Sequence, residues 1–488
     1  MRNRGPAIRR PTAALSGGAP CSPGRYALGA ALVTLALCGV GAGCSGLRGG
    51  GGADTDRGPG MDPAGRVDMR APAPQCVGLG CQIAQCPPAG SDTIVTGRVT
   101  APNGEDPIRD AIIYVPASGA PEEFPPQVAC EVCNSPIGGR PVALTHSGID
   151  GTFELGRVPV TDSTPIVIQK GRWRKTLRVA VSKCERQGLT AEQTRLPRDR
   201  TEGTLPQMAV AVGDYDSIEC VLKNIGVAQS EFTSPKSQGA IHLYNNETAG
   251  AGAPGKVNVG ELLRSLPAMR QYNLIFLNCS ETTYAGSLLR DSQVKQNLVD
   301  YVASGGRLYA TDWSYDFVQQ PPSFSPYICF EDDQPCTVTT PHGFHSAPNY
   351  GAGETPFDAD VDTTTEAGQN LADWLTKLPT PVLGGKVRIQ DLLPEWVLIH
   401  QTALDMAKFP STTWLNGTVK GRRRPLSVTF DYPQGMACGK VLYSSYHTRE
   451  HGAATLFPGY CASGKMITQE HVLEYLIFEL SSCVGPIG

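Results

Sequence analysis

Apolar residues change their spacing several times along this chain. From Tyr26 to Val40 they run almost unbroken (YALGAALVTLALCGV), and from Ser45 to Gln75 they nearly vanish. From about residue 92 to 183 they alternate with polar residues, and from about 207 they gather into solid runs separated by helical spacing. Period-two alternation bounded by Pro-Asn-Gly and Asp-Gly predicts short antiparallel strands at 93–99, 111–115, 152–155, 166–169 and 177–181. The solid runs predict strands at 208–212, 240–244, 273–277 and 307–311, with return strands at 426–430 and 440–446. Helices are predicted at 217–225, 260–269 and 294–303, the last stopped by Gly305-Gly306. A final helix at 468–480 has Val472, Tyr475, Leu476 and Phe478-Glu479-Leu480 on its packed side.

Strand and helix alternating over short connections predict a parallel sheet covered on both faces. The expected fold class is therefore multidomain: a β-sandwich at 92–184, then an α/β parallel-sheet domain at 205–483, with an insertion at about 317–425.

The N-terminal pattern concerns targeting. Arg2, Arg4, Arg9, Arg10 and Arg25 are the only charges before Cys44. The apolar run behind them falls short of the ~20 residues that span a bilayer. A basic segment, a short apolar core and small residues before a cut describe a signal peptide, residues 1–43. Gly41-Ala42-Gly43-Cys44 resembles the lipobox of bacterial lipoproteins, which implies lipid on Cys44. Ordinary cleavage to a soluble secreted protein is the alternative. Residues 44–91 would then be anchor, tether and Cys-rich stretch. Residues 45–75 are too poor in bulky apolar groups to offset chain entropy.

Other segments resemble known families. TGRVTAPNG, PIRDAIIYV and GIDGTFELGRVP resemble the carboxypeptidase regulatory-like domain, implying a transthyretin-like sandwich that serves as a non-catalytic spacer or binding module. An insertion at 116–141, carrying Cys130-Glu131-Val132-Cys133, departs from that pattern. QYNLIFLNCS, VKQNLVDYVASGGRLYATDWSY and GKVLYSSYHT resemble the class I glutamine-amidotransferase-like fold, in its trehalose-utilisation-protein-like branch. This implies a flavodoxin-like sheet over residues 208–316 and 426–483. The whole layout is similar to that of myxobacterial-type lipoproteins.

Charge narrows the partners. The chain has 42 basic and 46 acidic residues, and without the five leader arginines 37 basic residues face the same 46 acids. A net negative surface argues against nucleic acid as the partner. The expected partners are a membrane, through the lipid anchor, and a protein or carbohydrate ligand. The expected location is the cell envelope, at the outer membrane or the periplasmic face. Arg422-Arg423-Arg424 reads as a solvated turn between strands, and Arg172-Trp173-Arg174 as a packed strand edge, a contact surface being the lesser reading.

Of the 16 cysteines, Cys21 and Cys38 fall in the leader and Cys44 takes the lipid. The remainder read as disulfide partners in an oxidising compartment. Cys329 with Cys336 and Cys438 with Cys461 are the expected local bridges. Cys130 and Cys133 are also disulfide candidates, with zinc ligation alongside His146 and Cys184 the lesser reading.

Candidate chemistry gathers at the expected carboxyl edge. The amidotransferase resemblance implies a nucleophilic cysteine after the strand at 307–311, but the chain reads Asp312-Trp313-Ser314-Tyr315 there. Cys279 and His447 follow neighbouring strands, so an activated thiolate with Asp312 or Glu450 orienting the histidine is one expectation. A Cys279–Cys220 disulfide would remove it. Asp358-Ala359-Asp360-Val361-Asp362 alternates carboxylates as calcium loops do, without the glycine and glutamate of the EF-hand pattern. Glu331-Asp332-Asp333 has the same standing. No cofactor motif is recognised. The leading expectation is a non-catalytic binding or envelope-structural lipoprotein. The alternatives are a cysteine-dependent hydrolase using Cys279 and His447, and a calcium-dependent carbohydrate binder.

Overall fold

The alternating segment folds into two small sheets. β1 (Ile94–Arg98) pairs antiparallel with β4 (Thr152–Leu155) and parallel with β7 (Arg186–Gly188). β3 (Pro141–His146), β2 (Ile112–Pro116), β5 (Thr164–Lys170) and β6 (Trp173–Val179) form the second sheet in that order, antiparallel throughout. Val95, Ile113, Phe153, Leu155, Ile166 and Ile168 point into a shared core, as period-two spacing requires.

This is a computed structural model. It describes residues 76–88, 91–131, 137–213, 215–246, 257–280, 282–330, 356–390, 392, 397–400, 409–449, 456–461 and 465–481. The leader, Cys44 and the tether lie outside the described residues, as do Cys133, Glu331-Asp332-Asp333, Cys336 and Glu450.

The stretch from Glu122 to Glu131 packs back onto the second sheet. The Arg174 guanidinium lies 4.1 Å from the Phe124 ring centroid, and Arg172 forms an ion pair with Glu131 at 2.9 Å. Arg172-Trp173-Arg174 opens the edge strand β6 and is packed there, with Trp173 fully enclosed, as the packed-edge reading expects.

The solid apolar runs build one ten-stranded sheet. β8 (Met208–Val212), β9 (Phe232–Thr233), β10 (Ile241–Asn245), β11 (Leu274–Leu277), β12 (Arg307–Thr311) and β17 (Gly439–Ser444) run parallel, in the spatial order β9-β10-β8-β11-β12-β17. β13 (Phe357–Val361), β14 (Lys386–Ile389), β15 (Thr412–Val419) and β16 (Arg422–Tyr432) continue it with antiparallel pairing. The purely parallel sheet expected from the sequence is thus corrected to a mixed one. The loop from Tyr432 to Gly439 is too short for the crossover that parallel neighbours need, so β16 and β17 pair as a hairpin. β15 and β16 turn at Lys420-Gly421, both with positive φ, the geometry of a tight hairpin. Arg424 lies buried past that turn rather than solvated.

Side chains on β8 divide between two cores. Met208, Val210 and Val212 join the core that also contains the sandwich residues, while Ala209 and Ala211 join the core on the other face. The sandwich thus covers one side of the sheet, through the helix Thr468–Leu480. That helix is buried nearly all round, Glu470 and Glu474 included, rather than on a single side. Trp173 meets Phe478 at 5.6 Å, and Lys170 Nζ reaches Glu479 at 3.2 Å. Trp374 Nε1 donates to the Pro107 carbonyl at 2.7 Å.

Four disulfides have both cysteines among the described residues: Cys76–Cys81, Cys86–Cys184, Cys130–Cys438 and Cys220–Cys461. They correct the expected Cys438–Cys461 bridge, and Cys220 pairs with Cys461 rather than with Cys279. Cys130 finds Cys438 because the sandwich insertion lies against the β16–β17 hairpin, a proximity that sequence distance hides. Cys329 is also disulfide-bonded; its expected partner Cys336 lies outside the described residues. Bonds of this kind persist in oxidising, extracytoplasmic compartments. Among the described residues, no helix is long and apolar enough to cross a membrane.

Gly226 marks where the sandwich touches the sheet domain. Its φ is +105°, and a Cβ there would sit 2.2 Å from the Asn103 backbone nitrogen, which donates to the Ile225 carbonyl at 2.6 Å. Gly226→Ala should lower stability by ~2 kcal/mol or more. Gly421→Ala, at φ +71° with open space around it, should cost clearly less. Thermal melting of the two variants checks the difference.

Candidate functional site

Each parallel strand ends in polar residues, and these meet at one edge of the sheet. β8 leads to Asp216, Ser217 and Glu219, and β10 to Asn245 and Asn246. β11 leads to Asn278, Cys279 and Ser280, β12 to Thr311, Asp312 and Ser314, and β17 to Ser445, His447 and Thr448. All of these side chains are buried. Apolar strand interiors give way to polar carboxyl ends where α/β proteins place their sites.

Asp216 ties the strand ends together. Its carboxylate accepts from the Ser217 backbone at 2.8 Å, the Thr448 backbone at 2.9 Å, and the hydroxyls of Thr448 and Thr311. The Thr311 hydroxyl in turn accepts from the Cys279 backbone N–H at 2.9 Å. Asn278 crosslinks further. Its carbonyl accepts from Ser314 Oγ at 2.6 Å and from Asn246 Nδ2 at 2.7 Å.

Glu219 is the most perturbed acid of this edge. Asn278 Nδ2 donates to it at 2.9 Å, and the Tyr460 hydroxyl donates to its other oxygen. Burial outweighs these bonds, and the charge of Asp216 adds to it, raising the carboxyl to about 7. A carboxyl poised there can exchange a proton near neutrality. The Cys220–Cys461 disulfide holds the Tyr460 segment against the helix Ile218–Asn224 that carries Glu219. Sequence reading used that helix only for its apolar side. The signal available was acids at 214, 216 and 219 directly behind the first strand of the sheet.

Of the expected catalytic set, Asp312 and His447 do meet. His447 Nε2 lies 3.7 Å from Asp312 Oδ2, and His447 Nδ1 lies 2.9 Å from the Thr448 carbonyl. Asp312 takes a positive φ of 42° on the turn after β12, a conformation that aspartate tolerates better than most residues. Cys279 is a buried thiol, 1% exposed, on the neighbouring strand end.

The acidic run after 357 goes elsewhere. Asp358 and Asp360 lie on β13, where Arg388 reaches Asp358 at 3.1 Å and Arg423 reaches Asp360 at 3.0 Å. Lys386 also contacts Asp360. Asp362 accepts from Thr364 and Asn416. Asp358 and Asp360 are thus answered by cations of β14 and β16, and Asp362 by neutral side chains. His146, the other zinc candidate, pairs with Asp110 at 2.8 Å, and Cys184 is in a disulfide with Cys86.

Comparison with known proteins finds no matching family model and no matching curated protein.

The proton on Glu219 sets a pH dependence. Folding raises its affinity for that proton, so the folded state retains a proton that the unfolded state releases above the ordinary value of 4.5. This contribution is complete below 4.5 and is lost as pH rises through about 7. Glu219→Gln offers one acceptor and one donor, as the protonated carboxyl does, and has no proton to lose. Relative to the parent, its stability loss between pH 5 and pH 8 should shrink by up to about 3 kcal/mol. Denaturant melts at the two pH values read this directly.

Proposed function

We propose that this chain is an exported lipoprotein, anchored through Cys44, that acts as a non-catalytic binding module of the cell envelope. Its sandwich would be of the carboxypeptidase regulatory-like, transthyretin-like kind. Its sheet domain would be a flavodoxin-like relative of the class I amidotransferases that has lost the nucleophile. Apart from the two-residue edge strand β9, the parallel strands lie in the spatial order β10-β8-β11-β12-β17, which in chain order is 2-1-3-4-5 and supports that fold. The strained turn at Asp312 supports it too, since an elbow residue at this place takes such a conformation.

One observation carries the binding role. Among the described residues, Asn245 Oδ1, Asn246 Oδ1, Asn278 Oδ1 and Ser217 Oγ are buried at the carboxyl edge without a hydrogen-bond partner. Buried polar atoms left in this state cost free energy unless something answers them. A ligand rich in hydroxyl or amine donors, such as an oligosaccharide, fits that set. Soluble oligosaccharides titrated by calorimetry should bind, and Asn245→Ala should weaken binding at least tenfold. Absence of binding across such a panel would leave only the envelope-structural role.

The hydrolase alternative rests on the approach of His447 to Asp312 near Cys279. The two readings differ in reactivity. A thiol-directed probe should leave Cys279 unmodified in the native protein and label it after unfolding. Native labelling that His447→Ala abolishes would establish the hydrolase reading instead. Intact mass spectrometry of membrane-extracted protein should find acyl chains on Cys44.

A further inference from the structure

Away from the carboxyl edge, the sandwich and the long helix bring three ligating side chains together. Asp106, His471 and Glu474 each place one donor atom within 4.8 Å of the others. His471 and Glu474 stand one helical turn apart and so share a face. Asp106 is delivered by the turn after β1. There Asn103 Nδ2 donates to its Oδ2 at 2.5 Å, and Asn103 Oδ1 accepts from the Asp106 backbone at 3.2 Å. His471 Nδ1 lies 3.0 Å from Glu474 Oε2.

Burial makes the group unusual. Asp106 is 3% exposed and Glu474 fully enclosed, and the two carboxyl groups lie in hydrogen-bonding contact with each other. Among the described residues, neither carboxylate has an ion pair with lysine or arginine; Arg449, the nearby cation on this side of the helix, pairs with Glu470 at 3.3 Å. Asp106 is the charge that acts on Glu474, and Asp106 and Glu470 are those that act on His471. Two desolvated carboxyl groups in contact cannot both stay charged without compensation, which must come from a shared proton or a bound cation. A shared proton would need no imidazole.

We propose that Asp106, His471 and Glu474 form a divalent-cation site of zinc type, which pins the sandwich loop to the long helix. Two carboxylate oxygens and one imidazole nitrogen are a donor set that zinc accepts, with water in the fourth position. Donors around tetrahedral zinc stand about 3.4 Å apart, so small side-chain rotations close the site. The sequence carries only half a motif, His471-x-x-Glu474, since the third ligand lies in the other domain.

The test uses the full chain, stripped with chelator and then dialysed against zinc. Elemental analysis should find one zinc per chain, and the melting temperature should rise by about 5 °C. Glu474→Gln and His471→Gln should each lose the metal and the shift, whereas Asp358→Asn, on the exposed strand β13, should keep both. If either variant does not fold, Asp106→Asn reads the same site from the sandwich side. No zinc retained by the parent chain, or equal uptake by the site variants, overturns the proposal. A metal-free Glu474→Gln protein that melts higher than a parent unable to bind zinc identifies a shared proton, and overturns it as well.

Discussion

Enclosure of the helix Thr468–Leu480 is the constraint around which this molecule is arranged. An isolated amphipathic helix would keep one face in water, but this one has apolar side chains on most of its circumference and acids among them. It therefore needs the sheet on one side and the sandwich on the other. Each acid then needs its own answer. Glu470 has Arg449, Glu479 has Lys170 and Arg109, and Glu474 has His471 and Asp106. The ring of Trp374 meets Tyr475 at 5.3 Å, which ties the helix Glu366–Leu375 into the same packing. Without the sandwich, this face of the sheet would expose a large apolar area, a state soluble domains avoid.

The same helix reaches the candidate site. Gln469 Nε2 donates to the His447 carbonyl at its first turn, which fixes the strand-end loop that also supplies Thr448 to Asp216. Sandwich docking, helix burial and the carboxyl-edge network are thus mechanically continuous. At that edge most polar atoms bond one another, and a few amide and hydroxyl oxygens are buried without a partner among the described residues. That balance suits recognition of a polar molecule. Cys279 is enclosed between strand ends at that edge.

Disulfides act on the same scale. Cys130–Cys438 and Cys220–Cys461 join segments remote in sequence, one across the sandwich and sheet, the other across the site. Closing long loops in this way removes freedom mainly from the unfolded chain. Their placement fits a protein that keeps its shape without cytoplasmic maintenance.

Local pattern alone determined the element types, because burial on one face or two imprints period-two or continuous apolar spacing on the chain. The strands at β1, β8, β11 and β12 and the helix at 468–480 were legible for that reason, as was the polar carboxyl edge holding Cys279, Asp312 and His447. A short hairpin loop before Gly439 also carried the antiparallel turn of the sheet, although the apolar runs on either side suggested otherwise. Partnership across distance was not legible. Cys130 with Cys438, Glu219 with Tyr460, and Asp106 with His471 and Glu474 depend on which surfaces pack together. No local periodicity encodes that choice, because it follows from covering both faces of one sheet at once.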